Sequence, residues 1–359
     1  MLLALMLFSF TLTVIFKGLN ANKWLLLSTL VLFLILTYFS IVTLISSSLD
    51  GGWATQYISI ISMMLIIFIG WTSVRNCIFS FFDYALCVSI ALCCYILLKL
   101  LFTVLIFLGY IEIGFLYNIS SDMRSLGYIG VGGLHRLTST NEFFIPFVYF
   151  IVDIFNIKHK RLLKVILLIG LITSFTRSLW AVFGLLYLFK NMRSVNGYKQ
   201  LLFFSISLII GLYSLETFTQ FKVITSINHR LFVEGSTSSE EKLTQIKVLS
   251  EELAKYPIHG KGVGTYVEDY IRNERLKYGY EVSWLVYAFQ FGLPILSLII
   301  LMVLSPVLTR LIVNFRSLDL FLLVSFVSFL SIGFTNPILI SLLVSCLYLL
   351  FYICPSRSR

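Results

Sequence analysis

Four stretches of this sequence hold residues that the apolar runs around them do not require. In Thr173-Ser174-Phe175-Thr176-Arg177-Ser178-Leu179-Trp180 an arginine stands between two hydrophobic segments. A guanidinium at or near membrane depth costs ~3 kcal/mol on insertion scales, so it tends to persist where it has a partner. Snorkelling or a salt bridge to another helix would satisfy Arg177; an anion site in an outward-opening cavity would use it. The stretch Tyr256-Pro257-Ile258-His259-Gly260-Lys261-Gly262-Val263-Gly264-Thr265-Tyr266 carries glycines at alternate positions. Such a turn can present its amides to a phosphate, although the spacing is neither a P-loop nor a dinucleotide fingerprint. Tyr280-Glu281-Val282-Ser283-Trp284 puts a carboxylate at the mouth of an apolar run beside an interfacial tryptophan; a carboxylate ahead of a helix is also favoured by the macrodipole alone. Between Ile111 and Asn141 lie Gly127, Gly130, Gly132 and Gly133, then Leu134-His135-Arg136-Leu137-Thr138-Ser139-Thr140-Asn141. These glycines suit tight turns or close approach to a ligand, or simply a flexible connector.

The elements that must position these residues are apolar helices. Of 359 residues 58% are hydrophobic and only 12% charged, with a mean hydropathy of +0.95, whereas a soluble domain carries about a quarter charged residues. Apolar blocks of span length without two-residue alternation predict membrane helices rather than a barrel. The expected fold class is all-α: a polytopic membrane protein with eleven spans and one large extracytoplasmic helical loop. The spans fall near 2–16, 24–46, 57–74, 84–110, 142–157, 162–176, 178–190, 200–217, 284–312, 319–334 and 337–353. The first run lacks a basic n-region and an A-x-A-like site, so it reads as a short span rather than a cleaved signal. The six cysteines lie in or beside spans, with neither a disulfide framework nor zinc-type spacing.

Orientation follows from Lys and Arg. One alternate set of connections holds fourteen: Lys17, Lys23, Arg75, Lys158, Lys160, Arg161, Lys164, Lys190, Arg193, Lys199, Arg310, Arg316, Arg357 and Arg359. The opposite short connections hold only Arg124, Arg136 and Arg177. The richer set is assigned to the cytoplasm, which puts the N-terminus and the loop 218–283 outside. In that loop nine basic residues meet nine acidic ones, so the net charge of +10 does not indicate nucleic acid. Within it, Ser238 and Glu241 form a capping-box signature. Leu243, Ile246, Leu249 and Leu253 follow at helical spacing, an apolar face expected to pack onto the membrane domain, and Pro257 ends the helix. The chain thus divides into 1–217, the loop 218–283, and 284–359.

The order of these features resembles the bacterial O-antigen polymerase and O-antigen ligase superfamily. An outer loop with Arg136 leads to Asn141, and Thr176-Arg177 sits at a hairpin tip. A long outer loop then carries Pro-x-x-Gly-x-Gly-x-Gly-x-Tyr, followed by Glu281, Trp284-Leu285 and Gly292-Leu293-Pro294. The resemblance covers roughly residues 115–300. It implies a metal-independent, cofactor-free, inverting glycosyl transfer at the outer face of the inner membrane. Undecaprenyl-pyrophosphate-linked oligosaccharide would be both donor and acceptor. Membrane lipid, a chain-length regulator and a flippase are the further partners.

A diphosphate leaving group needs its developing charge stabilised, and guanidiniums suit that role. The resemblance gives Arg177 a catalytic part. It puts Arg136, Asn141, Arg230, Lys242, Gly260, Gly262, Gly264 and Tyr280 around pyrophosphate and glycan. The acceptor hydroxyl needs a base, and where the ligases have His this chain has Glu281. His259 is the competing base, and a solvated turn histidine its ordinary reading; solvated loop charge is that of Arg230 and Lys242. Lys242 stands where the family often has Arg, and Glu281 in place of His leans toward polymerase. A ligase acting on a lipid A core is the nearest rival. A flippase would need charges deep in many spans, where Lys99 is nearly the only mid-span charge.

Overall fold

The computed structural model describes residues 52–111, 125–128, 135–138, 140–174, 176–191, 234–271, 277–313, 317–333, 339 and 342–355, with scattered helical positions between 31 and 43. Among these residues the architecture is helical, with one small exception. Ser125–Tyr128 (β1) and His135–Thr138 (β2) pair antiparallel, Gly127 opposite Arg136. The stretch taken as a flexible connector therefore contains a hairpin, and the all-α expectation is corrected to that extent. The spans expected at 2–16 and 200–217 lie outside the described residues.

The helices in chain order are α1 (Gly52–Arg75), α2 (Phe81–Phe107), α3 (Ile145–Ile154, entered through the 3-10 turn Thr140–Phe144), α4 (Lys160–Thr173) and α5 (Arg177–Asn191). They are followed by α6 (Glu234–Lys255), α7 (Ser283–Phe291), α8 (Leu293–Val313), α9 (Ser317–Ile332) and α10 (Leu342–Ile353). Two stretches, Trp53–Val74 and Phe81–Phe107, are long and apolar enough to cross a membrane. Three shorter apolar helices lie at Leu293–Thr309, Leu318–Ile332 and Val344–Ile353.

Two expected elements are corrected. The run read as one span at 284–312 is two helices, because Gly292 takes φ +77° and ends α7 before α8 begins. A Cβ there would lie 2.1 Å from the Ile258 carbonyl oxygen, so the break needs glycine for both space and backbone. The loop helix starts at Glu234, four residues ahead of Ser238, which is therefore interior rather than a cap. It ends at Lys255, two residues before Pro257, as proline's missing donor requires.

The chain divides into two compact units, Met1–Tyr84 with Glu241–Ser356, and Ala85–Glu240 with Arg357–Arg359. In the first, α1 packs on α10 so closely that a Cβ on Gly70 would lie 2.1 Å from Leu349 Cδ2. The loop expected to form its own subdomain is part of this unit from Glu241 onward. Val263 is buried with Phe39, Ile60 and Phe291, and Leu249 with Val267, Tyr280, Val286 and Phe289. The apolar stripe of α6 splits: Leu249 is covered, while Leu243 and Ile246 stay exposed. In the second unit α3 is buried from Ile145 to Val152 and packs against α4 and α5.

Candidate functional site

In the first unit, two residues separated by 39 positions in the sequence come together at the start of α7. The Lys242 ammonium lies 3.4 Å from Glu281 Oε2, with side chains 25% and 20% exposed. The chain ahead of α7 is held there by Gln245, one helical turn along α6 from Lys242, whose Oε1 accepts the Glu281 N–H at 2.8 Å. That bond fixes the amide's orientation: Gln245 is 0% exposed, and its Nε2 has no acceptor among the described residues. Gln245 was not among the expected site residues. Its signal in the sequence was an amide inside the apolar stripe of α6. Ser283 N–H in turn donates to the Glu281 carbonyl. Glu281 sits one residue before Val282, the residue that precedes α7, so a carboxylate reinforcing the helix N-terminus remains its ordinary account.

The three glycines adjoin this region but have another task. Gly260, Gly262 and Gly264 take φ +62°, +107° and +76°, a region L side chains rarely adopt. A Cβ on each would lie 2.3 Å from Gln290 O, 2.2 Å from Thr43 Oγ1 and 2.2 Å from Trp53 Cα, respectively. Their amides are engaged as well. Gly260 N–H donates to Tyr256 O, Lys261 N–H to Phe289 O at 2.9 Å and Gly262 N–H to Gln290 O at 2.9 Å. A phosphate cradle needs free N–H groups pointing at a ligand. Here they point into protein, and the glycines allow an irregular segment to pack against backbone.

That segment is secured by buried polar groups. Thr43 Oγ1 donates to Val263 O at 2.9 Å. Gln56 Nε2 donates to Gln290 Oε1 at 2.8 Å, and Gln290 Nε2 to Thr265 O at 3.2 Å. Gln290, flanked by Phe289 and Phe291, could have been singled out as an amide in an apolar run, since such a group is costly without partners.

Tyr280, expected to touch substrate, is 1% exposed. Its hydroxyl accepts the Val267 N–H at 2.9 Å and donates to Tyr270 O at 3.0 Å. Burial pushes its phenol up to about 12, which keeps it neutral. It braces the loop and has no hydroxyl hydrogen left for a glycan. His259 lies in an exposed turn after α6.

In the second unit, Arg136 lies on β2 opposite Gly127, and Asn141 in the 3-10 turn. Arg177 is the first residue of α5, three residues beyond Ser174 at the end of α4. The turn is closed by Ser174 Oγ donating to Leu171 O at 2.7 Å and by Trp180 Nε1 donating to the same oxygen at 2.8 Å. These satisfy a carbonyl that the end of α4 would leave bare. Arg230 lies outside the described residues.

Beside this turn is a pair the sequence reading missed. Lys99 on α2 meets Glu142 Oε1 at 2.5 Å, both side chains nearly buried at 5% and 2% exposed. Its ammonium also donates to Thr173 O at 3.2 Å, the last residue of α4. One cation thus joins α2, the turn carrying Asn141, and the end of α4 that leads to Arg177. Among the described residues no three His, Cys, Asp or Glu side chains gather as metal ligands. Compared with protein-family models, curated proteins and solved structures, the chain matches none.

Proposed function

We propose that this chain is an eleven-span membrane glycosyltransferase of the O-antigen polymerase type, with its N-terminus and the loop 218–283 outside the cytoplasm. It joins lipid-pyrophosphate-linked oligosaccharide units. The acceptor hydroxyl attacks the anomeric carbon of the donor as the bond from that carbon to the pyrophosphate oxygen breaks. Configuration inverts, the hydroxyl proton passes to Glu281, and the lipid pyrophosphate leaves. Arg177 and Lys242 offset the charge that builds on the leaving group. The observation that carries this reading is the Lys242–Glu281 pair: a carboxylate and a cation, both assigned to this chemistry from the sequence, meet at 3.4 Å and stay partly open to solvent. The Gln245 amide nitrogen beside them supplies a further donor for a ligand oxygen.

A positioned base contributes typically 10²–10⁴-fold. Purified Glu281→Gln, given the lipid-linked oligosaccharide, should form almost no polymer at matched protein level, while His259→Ala should keep most of it. If His259→Ala abolishes chain growth and Glu281→Gln does not, the base is His259.

A second reading, a transporter of the same lipid-linked sugars, is favoured by the buried Lys99–Glu142 pair, since charges within spans mark transport paths. Reconstituted protein that moves labelled lipid-linked sugar across vesicles without joining units would establish that reading instead.

A further inference from the structure

On α3 one carboxylate is met by three lysines. Lys160 Nζ lies 3.0 Å and Lys164 Nζ 2.8 Å from Asp153 Oδ1, and Lys190 reaches Oδ2. Lys160 also donates to Asp153 O at 3.0 Å and Asn156 Oδ1 at 3.1 Å. The Lys164 ammonium stands 4.9 Å from the centre of the Tyr149 ring, and that of Lys190 5.9 Å from Phe150. The lysine side chains are 34%, 26% and 30% exposed. Two positive charges are left over in a half-buried place walled by aromatic rings. Lys160 also opens α4, whose first-turn amides add partial positive charge. Burial, and then Lys164, hold the Lys160 ammonium below the usual lysine range, as expected where like charges crowd without enough anions.

The surroundings distinguish a lipid from a soluble anion. On α4 the large apolar side chains Leu162, Val165, Ile169 and Ile172 are exposed, at spacings of three and four residues. They form a stripe that starts beside the lysines and runs along the helix. On α5, Leu185 and Leu188 are exposed near Lys190. A phosphate among three ammonium groups, with acyl chains along such a stripe, is the shape of a phospholipid.

We propose that Lys160, Lys164 and Lys190 bind the phosphate of an anionic phospholipid headgroup, whose acyl chains lie along the exposed face of α4. This rests on the membrane reading above but not on the glycosyl transfer. The full-length protein would be placed in phosphatidylcholine nanodiscs with and without a minority of phosphatidylglycerol. Retained phosphatidylglycerol is counted by native mass spectrometry, and the thermal midpoint is measured.

Phosphatidylglycerol should be retained by the wild type and raise its midpoint. Retention should fall about fivefold for each lysine removed in Lys164→Gln and Lys190→Gln. Arg161→Gln removes equal charge from the same turn outside the cluster, and should change little. Asp153→Asn should raise retention, and it tests the site even if a lysine variant does not fold. Equal losses with Arg161→Gln, or no gain with Asp153→Asn, would overturn the proposal. So would inorganic phosphate in phosphatidylcholine discs matching the shift, which would make this a site for soluble anions. A protein that never enters discs sinks the membrane reading; one that enters without preferring phosphatidylglycerol sinks only this site.

Discussion

Each unit contains a lysine–glutamate pair, and the two share chemistry but little else. Lys99–Glu142 is 2.5 Å apart and nearly sealed from solvent, at 5% and 2% exposed. Lys242–Glu281 is 3.4 Å apart with about a fifth to a quarter of each side chain exposed, 25% and 20%. Desolvation makes the difference. A buried charge without its partner costs several kcal/mol, whereas an exposed pair contributes ~0–1 kcal/mol to stability. The buried pair can therefore set structure, holding the end of α4 through Thr173. The open pair is free to meet a ligand at little structural cost.

The largest effect is expected from breaking the sealed pair. Lys99→Met leaves Glu142 buried with its charge uncompensated, and should destabilise the protein by about 3–5 kcal/mol. Lys99→Met combined with Glu142→Leu replaces both charges with apolar groups, and should recover most of that loss. Thermal or denaturant unfolding of the detergent-purified proteins measures both. If the double variant is as unstable as the single one, burial is not what distinguishes the pairs.

A neutral pair of similar burial sharpens the comparison. Gln56 and Gln290 are 5% and 0% exposed and hydrogen-bonded to each other at 2.8 Å. Gln290→Leu strands the Gln56 amide and removes the donor to Thr265 O. The expected cost is the desolvation of neutral groups, about 1–3 kcal/mol, below that of Lys99→Met. A cost matching Lys99→Met would mean that packing of the glycine segment, not charge, controls these losses.

These three pairs also mark what the sequence could reveal. Lys99 stood out as a mid-span charge, but its partner lies 43 residues on, and periodicity carries no information about which helices meet. The alternate glycines were legible as special backbone, because few other residues adopt their φ angles. Their role was not, since it depends on Thr43, Trp53 and Gln290 approaching from elsewhere in the chain. The break at Gly292 was written as Gly-Leu-Pro, yet continuous apolarity on both sides disguised it as one span. Ser238 misled because its cap signature is local, while α6 begins four residues earlier. Lys242 and Glu281 were both named beforehand. Their meeting depends on Gln245 holding the chain ahead of α7, and an interior amide on α6 does not reveal what it holds.

The smallest change in stability is expected at the open pair, where the comparison meets function. Lys242→Met removes one partner, but Glu281 keeps contact with water and so avoids the penalty that Glu142 would suffer. The unfolding free energy should move by no more than ~1 kcal/mol. Polymer formation on the lipid-linked substrate should fall much further. A lost charge-assisted contact to the leaving group, at about 1.5–3 kcal/mol, corresponds to roughly tenfold to more than a hundredfold. Stability and turnover measured on one preparation separate the outcomes. If Lys242→Met unfolds as readily as Lys99→Met, the exposure argument fails, and the pair is structural like its buried counterpart. If stability and turnover both stay at the wild-type level, the cation beside Glu281 is incidental, and the proposed chemistry loses the observation that carries it.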